Sequence, residues 1–423
     1  MVEPAYEYED GELYCGEVLK VLADMPDESV QCIVTSPPYF GLRDYGTGKW
    51  VGGDENCSHK RDSKRSDLTL TGHKAMNNKG HAVGDAIYKT ECPRCGAVRK
   101  DNQIGLEETP EEYIQRLVEV FRELRRVLAT DGIAWLNLGD SYWGGKGRSG
   151  AGSAKTHRER TSDTLQGEHT YLGKEGGFRP TDRGHEVFKQ KDLCMMPHRV
   201  AIALQEDGWW VRQDIVWHKN NPMPESVRDR CTKAHEYIFM LTKSKKYYYD
   251  HMAVKEDSQD SQKGKGVKRN RRSVWKVPVF AYKGAHFATY PPKLIEPCIL
   301  AGTSEKGHCS KCGKRWKRET KKSKGKVNQR ERGDKALDYE GSPMNRNGSR
   351  NSGLFFQDYP SQTIGWVLDC DCDVKTQKDT VLDPFMGSGT TAIVARQHGR
   401  RFIGIDLNAE YLELADNRIS FSE

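Results

Sequence analysis

Thr380–Asp406, TVLDPFMGSGTTAIVARQHGRRFIGID, is the stretch whose reading decides the fold. A short apolar run breaks at Asp383-Pro384, Gly387 and Gly389 follow, a helical stretch intervenes, and a second apolar run ends on Asp406. The order is strand, glycine turn, helix, strand. Glycines without Cβ atoms let a ligand approach the backbone, and a helix beginning near Thr390 points its free N–H groups at that ligand. Asp406 lies 17 residues beyond Gly389, where an acidic side chain would hold the two ribose hydroxyls of a nucleoside cofactor. No third glycine and no Gly-Lys-Ser/Thr follows, which disfavours a dinucleotide and a nucleoside triphosphate. Taken alone, the segment also reads as an ordinary strand-helix-strand crossover without a ligand.

The next informative stretch is CIVTSPPYFGLRDYG, Cys32–Gly46. Cys32, Ile33 and Val34 read as a strand end, and Pro37 and Pro38 cannot donate to a sheet ladder, so pairing stops there. The prolines make a stiff turn at the carboxyl end of a strand, where open α/β sheets carry ligands, flanked by the Ser36 hydroxyl and the Tyr39 ring. Outside the two stretches, helical and strand patterns alternate. Val18, Leu19 and Leu22 have helical spacing. Thr109, Pro110 and Glu112 form a helix start with a capping box, and Ile114, Leu117, Val118, Phe121, Leu124 and Leu128 form its stripe. IAWLNLGDSY, VRQDIVWHK and HEYIFMLTK read as strands. The expectation is an α/β fold, a doubly wound, largely parallel sheet with helices on both faces.

TSPPY and DPFMGSGTT together, in that order, resemble the circularly permuted β group of amino-directed DNA methyltransferases, which methylate N4 of cytosine or N6 of adenine with S-adenosylmethionine. The resemblance extends over most of the chain outside its polar insertions. It implies a Rossmann-like methyltransferase sheet with one antiparallel strand. It also implies a catalytic tetrapeptide, Ser36, Pro37, Pro38 and Tyr39. In that reading the Ser36 side chain and the Pro37 carbonyl accept the two hydrogens of the target amino group, while Tyr39 stacks on a flipped base. Around the cofactor it implies roles for Glu17, Phe287, Pro292, Asp383, Phe385, Gly387, Gly389, Thr390 and Asp406. At Glu17 the family usually has Asp. Serine at the first tetrapeptide position is commoner among cytosine-N4 enzymes, so that target is expected, with adenine N6 as the alternative. A catalytically idle zinc-bearing DNA-binding protein and an RNA methyltransferase are further alternatives.

Twelve cysteines occur, seven of them in two close groups. Cys57 and His59 with Cys92 and Cys95, and Cys309 and Cys312 with Cys370 and Cys372, each offer four soft or borderline ligands, as a closed tetrahedral zinc site requires. Two structural zinc sites are expected, anchoring insertions too polar to fold on a core of their own. The singly placed Cys15, Cys32, Cys194, Cys231 and Cys298 read as buried thiols.

Composition agrees with a sizeable core carrying long polar insertions: apolar residues are 36% of 423, mean hydropathy is -0.80 and net charge is +7. The run Lys314–Arg332 holds ten Lys or Arg in nineteen residues and, with Lys263–Arg272, suggests phosphate contacts on double-stranded DNA. Without a signal-like start or a stretch of about 18 apolar residues, a cytoplasmic protein with no membrane partner is expected. A cognate restriction endonuclease is a further expected partner. Residues 1–45, 106–142 and 185–254 then form the catalytic half, and 276–308 with 373–423 the S-adenosylmethionine half. Segments 46–105 and 309–372 are the knuckle-bearing insertions, 143–184 a basic, glycine-rich loop, and 255–275 a target-recognition segment.

Overall fold

The computed structural model describes residues 2–41, 47–59, 91–144, 185–257, 268–279, 289–322, 361–372 and 375–421. Nine strands form one sheet: β1 (Tyr6–Tyr8), β2 (Gly11–Cys15), β3 (Val30–Thr35), β4 (Leu128–Leu138), β5 (Trp210–His218), β6 (His235–Thr242), β7 (Val274–Lys276), β8 (Thr380–Asp383) and β9 (Arg401–Asp406). Their spatial order is β1-β2-β9-β8-β3-β4-β6-β5-β7. Pairing is parallel from β2 through β4 and between β5 and β7. β6 runs against both its neighbours. The sheet therefore contains the reversed strand that the resemblance implies, and β1 adds a second reversal as an edge hairpin on β2.

Three helices cover each face. α1 (Val18–Asp24), α2 (Pro110–Val127) and α3 (Met196–Glu206) pack with Ile33 and Leu136 on one side. α4 (Pro292–Gly302), α5 (Thr390–Gln397) and α6 (Ala409–Ser420) pack with Cys32, Val34 and Val381 on the other. Because β3 is covered on both faces, all six of its residues are buried, which is why its sequence lacks a polar alternation. α2 has the capping box its sequence predicts: Glu112 N–H donates to Thr109 Oγ1 at 3.2 Å, and Thr109 N–H donates to Glu112 Oε2 at 3.3 Å. A cap of this kind contributes about 1 kcal/mol.

The connections locate the site. β3 leads through α2 to β4 on one side, and β8 leads through α5 to β9 on the other, so the chain diverges between adjacent β3 and β8. In an open α/β sheet that divergence leaves a crevice beyond the carboxyl ends of the strands. Of the single cysteines, Cys32, Cys194 and Cys298 are buried as expected, whereas Cys15 and Cys231 are exposed. Cys15 ends a strand beside the crevice and Cys231 lies in the connection before β6, so neither is in the apolar interior.

Candidate active site

A cavity opens at this crevice. Gly16 and Glu17 line it at the end of β2, Ser36 and Pro38 beyond β3, Phe385 and Gly387 beyond β8, and Asp406 at the end of β9. The two sequence stretches that suggest a cofactor and a catalytic turn thus meet in one space. Gly387 has φ +51°, and a Cβ built on it would meet nothing within 4 Å, so the turn presents bare backbone to the cavity. Asp406 Oδ2 accepts the Gly387 N–H at 2.8 Å and its Oδ1 accepts the Asn408 N–H at 2.9 Å. Burial nevertheless raises this carboxyl to about 6, with the neighbouring Asp383 adding to the rise and the backbone donors opposing it. Glu17 pairs with Arg116 at 3.0 Å and with Lys20 at 3.2 Å.

Other residues assigned to the cofactor by sequence stand behind this wall. Asp383 is fully buried and saturated: its Oδ1 accepts from Thr35 Oγ1 at 2.8 Å and from Phe385 N–H at 3.1 Å. Its Oδ2 accepts from Tyr290 Oη at 2.7 Å and Thr391 Oγ1 at 2.6 Å. This side chain ties β3, β8, α5 and the segment before α4 together. Gly389 has φ +78°, and a Cβ there would lie 2.9 Å from that of Ala415, so it permits α6 to pack closely. Thr390 accepts from Arg418 at 3.3 Å, and Pro292 is the half-buried first residue of α4. None of these four lines the cavity. Phe287 lies outside the described residues, although Thr289, two residues on, does line the cavity.

The double proline sits where β3 stops. Pro37 is buried, and the Pro38 carbonyl accepts from Tyr113 Oη of α2 at 2.9 Å. Phe40 is buried against Tyr113 and stacks on Trp143, with ring centroids 5.6 and 6.5 Å away. Tyr39 is backed by Gly139, where a Cβ would come within 2.5 Å of its ring. Its hydroxyl donates to Glu236 Oε2 at 2.9 Å and lies 3.3 Å from Ser36 Oγ. Burial, then the Glu236 carboxylate, hold the Tyr39 phenol well above its ordinary value. The turn is therefore fixed at its prolines, its ring and its hydroxyl.

The cysteine groups assemble as their spacing predicts. The ligand atoms of Cys57, His59, Cys92 and Cys95 lie within 4.8 Å of one another, as do those of Cys309, Cys312, Cys370 and Cys372. Cys57 and Cys92 sulfurs are 3.7 Å apart and Cys95 Sγ is 3.6 Å from His59 Nδ1. Tetrahedral ligands about 2.3 Å from a zinc ion are separated by about 3.8 Å, so both donor set and spacing fit the ion. Trp50 stacks on His59 at 4.4 Å. The peptide N–H groups of Cys312 and Lys311 bring the Cys309 thiol down to about 6.

The groups serve opposite ends of the strands. The strand after Cys95, Val98–Lys100, runs into Asn102, Gln103 and Ile104, which line the cavity. Gly105 O then accepts Gly41 N–H at 2.9 Å, just past the double-proline turn. The second group instead closes the amino ends of the strands. His308 Nδ1 meets Asp379 at 2.8 Å, and the buried Arg315 donates to the carbonyls of Gln31 and Gly302 at 3.0 and 2.6 Å. Gln31 and Ser36 are about 16 Å apart along an extended strand. Arg315 and Arg318, the latter paired with Asp250 and Glu305 at 2.7 Å each, therefore serve the fold although they belong to the basic run. Most of that run lies outside the described residues, as does much of Lys263–Arg272 and of the 143–184 loop. Segment 255–275 ends in edge strand β7.

Sequence reasoning missed Glu236, Lys219, Asn102–Ile104 and Arg116. No local spacing relates them to the motifs, and only the strand order brings them there.

Comparison with known proteins places these features in a family. Residues 30–310 and 308–417 match a family model described as DNA methylase, for N6 and N4 methyltransferases. The chain is 35% identical over 407 residues to Type II methyltransferase M.Cfr9I of Citrobacter freundii, covering 96% of this chain and 87% of that protein. It is 32% identical over 404 residues to Type II methyltransferase M.SmaI of Serratia marcescens, covering 96% and 89%. A solved structure titled PvuII DNA methyltransferase (cytosine-N4-specific) aligns at 14% identity with a TM-score of 0.48, covering 100% of this chain and 94% of its own.

Proposed function

We infer the reaction from the family to which this chain belongs, the N6 and N4 DNA methylases: it transfers a methyl group from S-adenosylmethionine to N4 of cytosine in duplex DNA. The observation that carries the reading is the shared cavity. Ser36 and Pro38 of the stiff turn face the same space as Gly387 and Asp406. When bound, S-adenosylmethionine supplies an electrophilic sulfonium methyl. Asp406 would hold its ribose hydroxyls, Gly387 would admit it against bare backbone, and Glu17 with Phe385 would complete its wall.

The target amino group is a poor nucleophile because its lone pair is delocalised into the ring. Ser36 Oγ and the Pro37 carbonyl, as acceptors for its two hydrogens, localise that pair toward the methyl group. Acceptors fixed by two prolines do not have to reorient during the reaction, which is how preorganised dipoles lower a barrier. Direct displacement then needs only near-contact alignment at about 3–3.5 Å, without a covalent intermediate on the enzyme. A target inside a duplex must first leave the stack, and Tyr39 offers the aromatic face that receives it. Serine at position 36 favours cytosine over adenine as the substrate. The relatives named above are Type II methyltransferases, which supports a place for this chain beside a restriction endonuclease of the same specificity. Zinc bound by each cysteine group would be structural, with no ligand position left open for chemistry.

Duplex DNA incubated with labelled S-adenosylmethionine and digested to nucleosides tests the reading. N4-methylcytosine by mass spectrometry is the expected product. N6-methyladenine alone would transfer the reaction to the alternative base, and absence of DNA labelling would refute the assignment.

A further inference from the structure

The hydrogen bonds behind Ser36 have a direction. Lys219, just beyond β5, donates from Nζ to Glu236 Oε1 of β6, and the two side chains are largely shielded from solvent, at 20% and 15% exposure. Lysine can only donate and an ionised carboxylate can only accept, so this pair fixes the far end of the chain of contacts. Glu236 Oε2 is then left to face Tyr39 Oη at 2.9 Å and Asn137 Nδ2 at 3.4 Å. Asn137 is oriented independently, because its Nδ2 also donates to the Tyr237 carbonyl at 3.0 Å. Tyr39 Oη has two acceptors in reach, Asn137 Oδ1 at 3.4 Å and Glu236 Oε2 at 2.9 Å, and its hydrogen goes to the nearer, charged carboxylate, which offers none in return. The Tyr39 oxygen can then only accept from Ser36 Oγ, 3.3 Å away.

We propose that Glu236, pinned by Lys219, is a positioning residue that sets hydrogen-bond polarity through Tyr39, so that the Ser36 hydroxyl hydrogen is turned away from the target and its lone pairs face the base. This rests on the reading of Ser36 as an acceptor for the amino hydrogens. A serine hydroxyl is otherwise indifferent: it can present either its hydrogen or its lone pairs, and presenting the hydrogen would repel an amino group or draw on the lone pair that attacks. Proline supplies rigidity to the turn, but it cannot rotate a hydroxyl. Orientation of the Ser36 hydrogen must come from a partner, and the described contact is Tyr39, whose own hydrogen Glu236 commits.

Glu236→Gln is the direct test. Lys219 can only donate, so it keeps the amide oxygen on its own side and turns the amide N–H₂ toward Tyr39. That N–H competes with Ser36 for the Tyr39 oxygen and frees the Ser36 hydrogen to face the base. We expect kcat on cognate duplex to fall about tenfold to hundredfold, in line with loss of one aligned transition-state partner. Affinity for S-adenosylmethionine and the thermal midpoint should be unchanged. In a Tyr39→Phe background, where the intermediary hydroxyl is gone, Glu236→Gln should have no further effect on kcat. An unchanged kcat in the Glu236→Gln variant, or the same fold loss in both backgrounds, would overturn the proposal. Ser36→Ala separates the two levels: if it leaves kcat intact, the acceptor reading of Ser36 itself fails, whereas loss in Ser36→Ala with none in Glu236→Gln removes only the polarity inference.

Discussion

On the proposed role of Asp406, cofactor affinity should weaken as pH falls from 7 to 5, because a carboxyl that accepts two ribose hydroxyls must be ionised. Burial lifts this carboxyl to about 6, against three backbone N–H groups that pull it down. If only the ionised form binds, apparent Kd scales as one plus the ratio of protonated to ionised carboxyl. That factor is about 1.1 at pH 7 and about 11 at pH 5, a tenfold loss worth about 1.4 kcal/mol. The sign for folding is opposite. A carboxyl whose pKa is raised by folding binds protons more readily in the native state, so acidification from 7 toward 5 favours the native fold through this group. Weaker binding therefore cannot be ascribed to acid unfolding at Asp406. Isothermal titration of S-adenosylmethionine across this range gives Kd, and thermal melts of the unliganded protein give stability on the same samples. Asp406→Asn is the control. It keeps the shape but loses the charged acceptor, a bond worth about 1.5–3 kcal/mol, so Kd should rise roughly tenfold to hundredfold and become nearly flat with pH. The cavity also contains the Glu17–Arg116 pair. Retention of the full pH slope in the Asn variant would move the titration away from Asp406 and refute the argument.

Two further outcomes follow from groups outside direct contact with the reactants. Asp383→Ala removes a buried acceptor of four hydrogen bonds and strands the hydroxyls of Thr35, Tyr290 and Thr391, so denaturant unfolding should show a loss of about 3–5 kcal/mol; a loss below 1 kcal/mol would show that these hydroxyls find other partners. The two cysteine groups should separate on mutation: both Cys95→Ser and Cys312→Ser lower the measured zinc content by one ion per chain, but only Cys95→Ser weakens S-adenosylmethionine binding, because its strand continues into the cavity wall. Equal effects on that affinity would contradict their placement at opposite ends of β3.

What was legible in the sequence is what local chemistry enforces. A glycine at positive φ, a proline pair that halts a ladder and a threonine-glutamate cap each act within a few residues, and all three appear where the pattern puts them. Cysteine pairs were legible for a related reason: a metal demands a donor set, and C-x2-C presents half of it locally. Asp383 shows where such reading fails. Its place beside the glycine turn suggests a cofactor contact, but its four hydrogen-bond donors come from four different elements, and the count of donors decides whether a carboxylate is free to bind anything else. The basic run misleads in the same way. A cluster of Lys and Arg carries no mark separating Arg315, which is 2% exposed and bound to the carbonyls of Gln31 in β3 and Gly302 at the end of α4, from residues available to phosphate.

Glu236 and Lys219 extend the point to chemistry. They are 17 residues apart, on opposing strands, and far from Ser36 in sequence, so neither spacing nor composition identifies them. They are brought behind the double-proline turn because β6 runs antiparallel beside β4 and β5: its first residues, His235 and Glu236, then lie at the end of the sheet where the parallel strands finish. A parallel strand in that slot would place its amino end, and this carboxylate, at the opposite edge beside the second cysteine group. The reversed strand therefore has a chemical consequence, since it alone lets a residue opening a strand reach groups that follow the ends of β3 and β5.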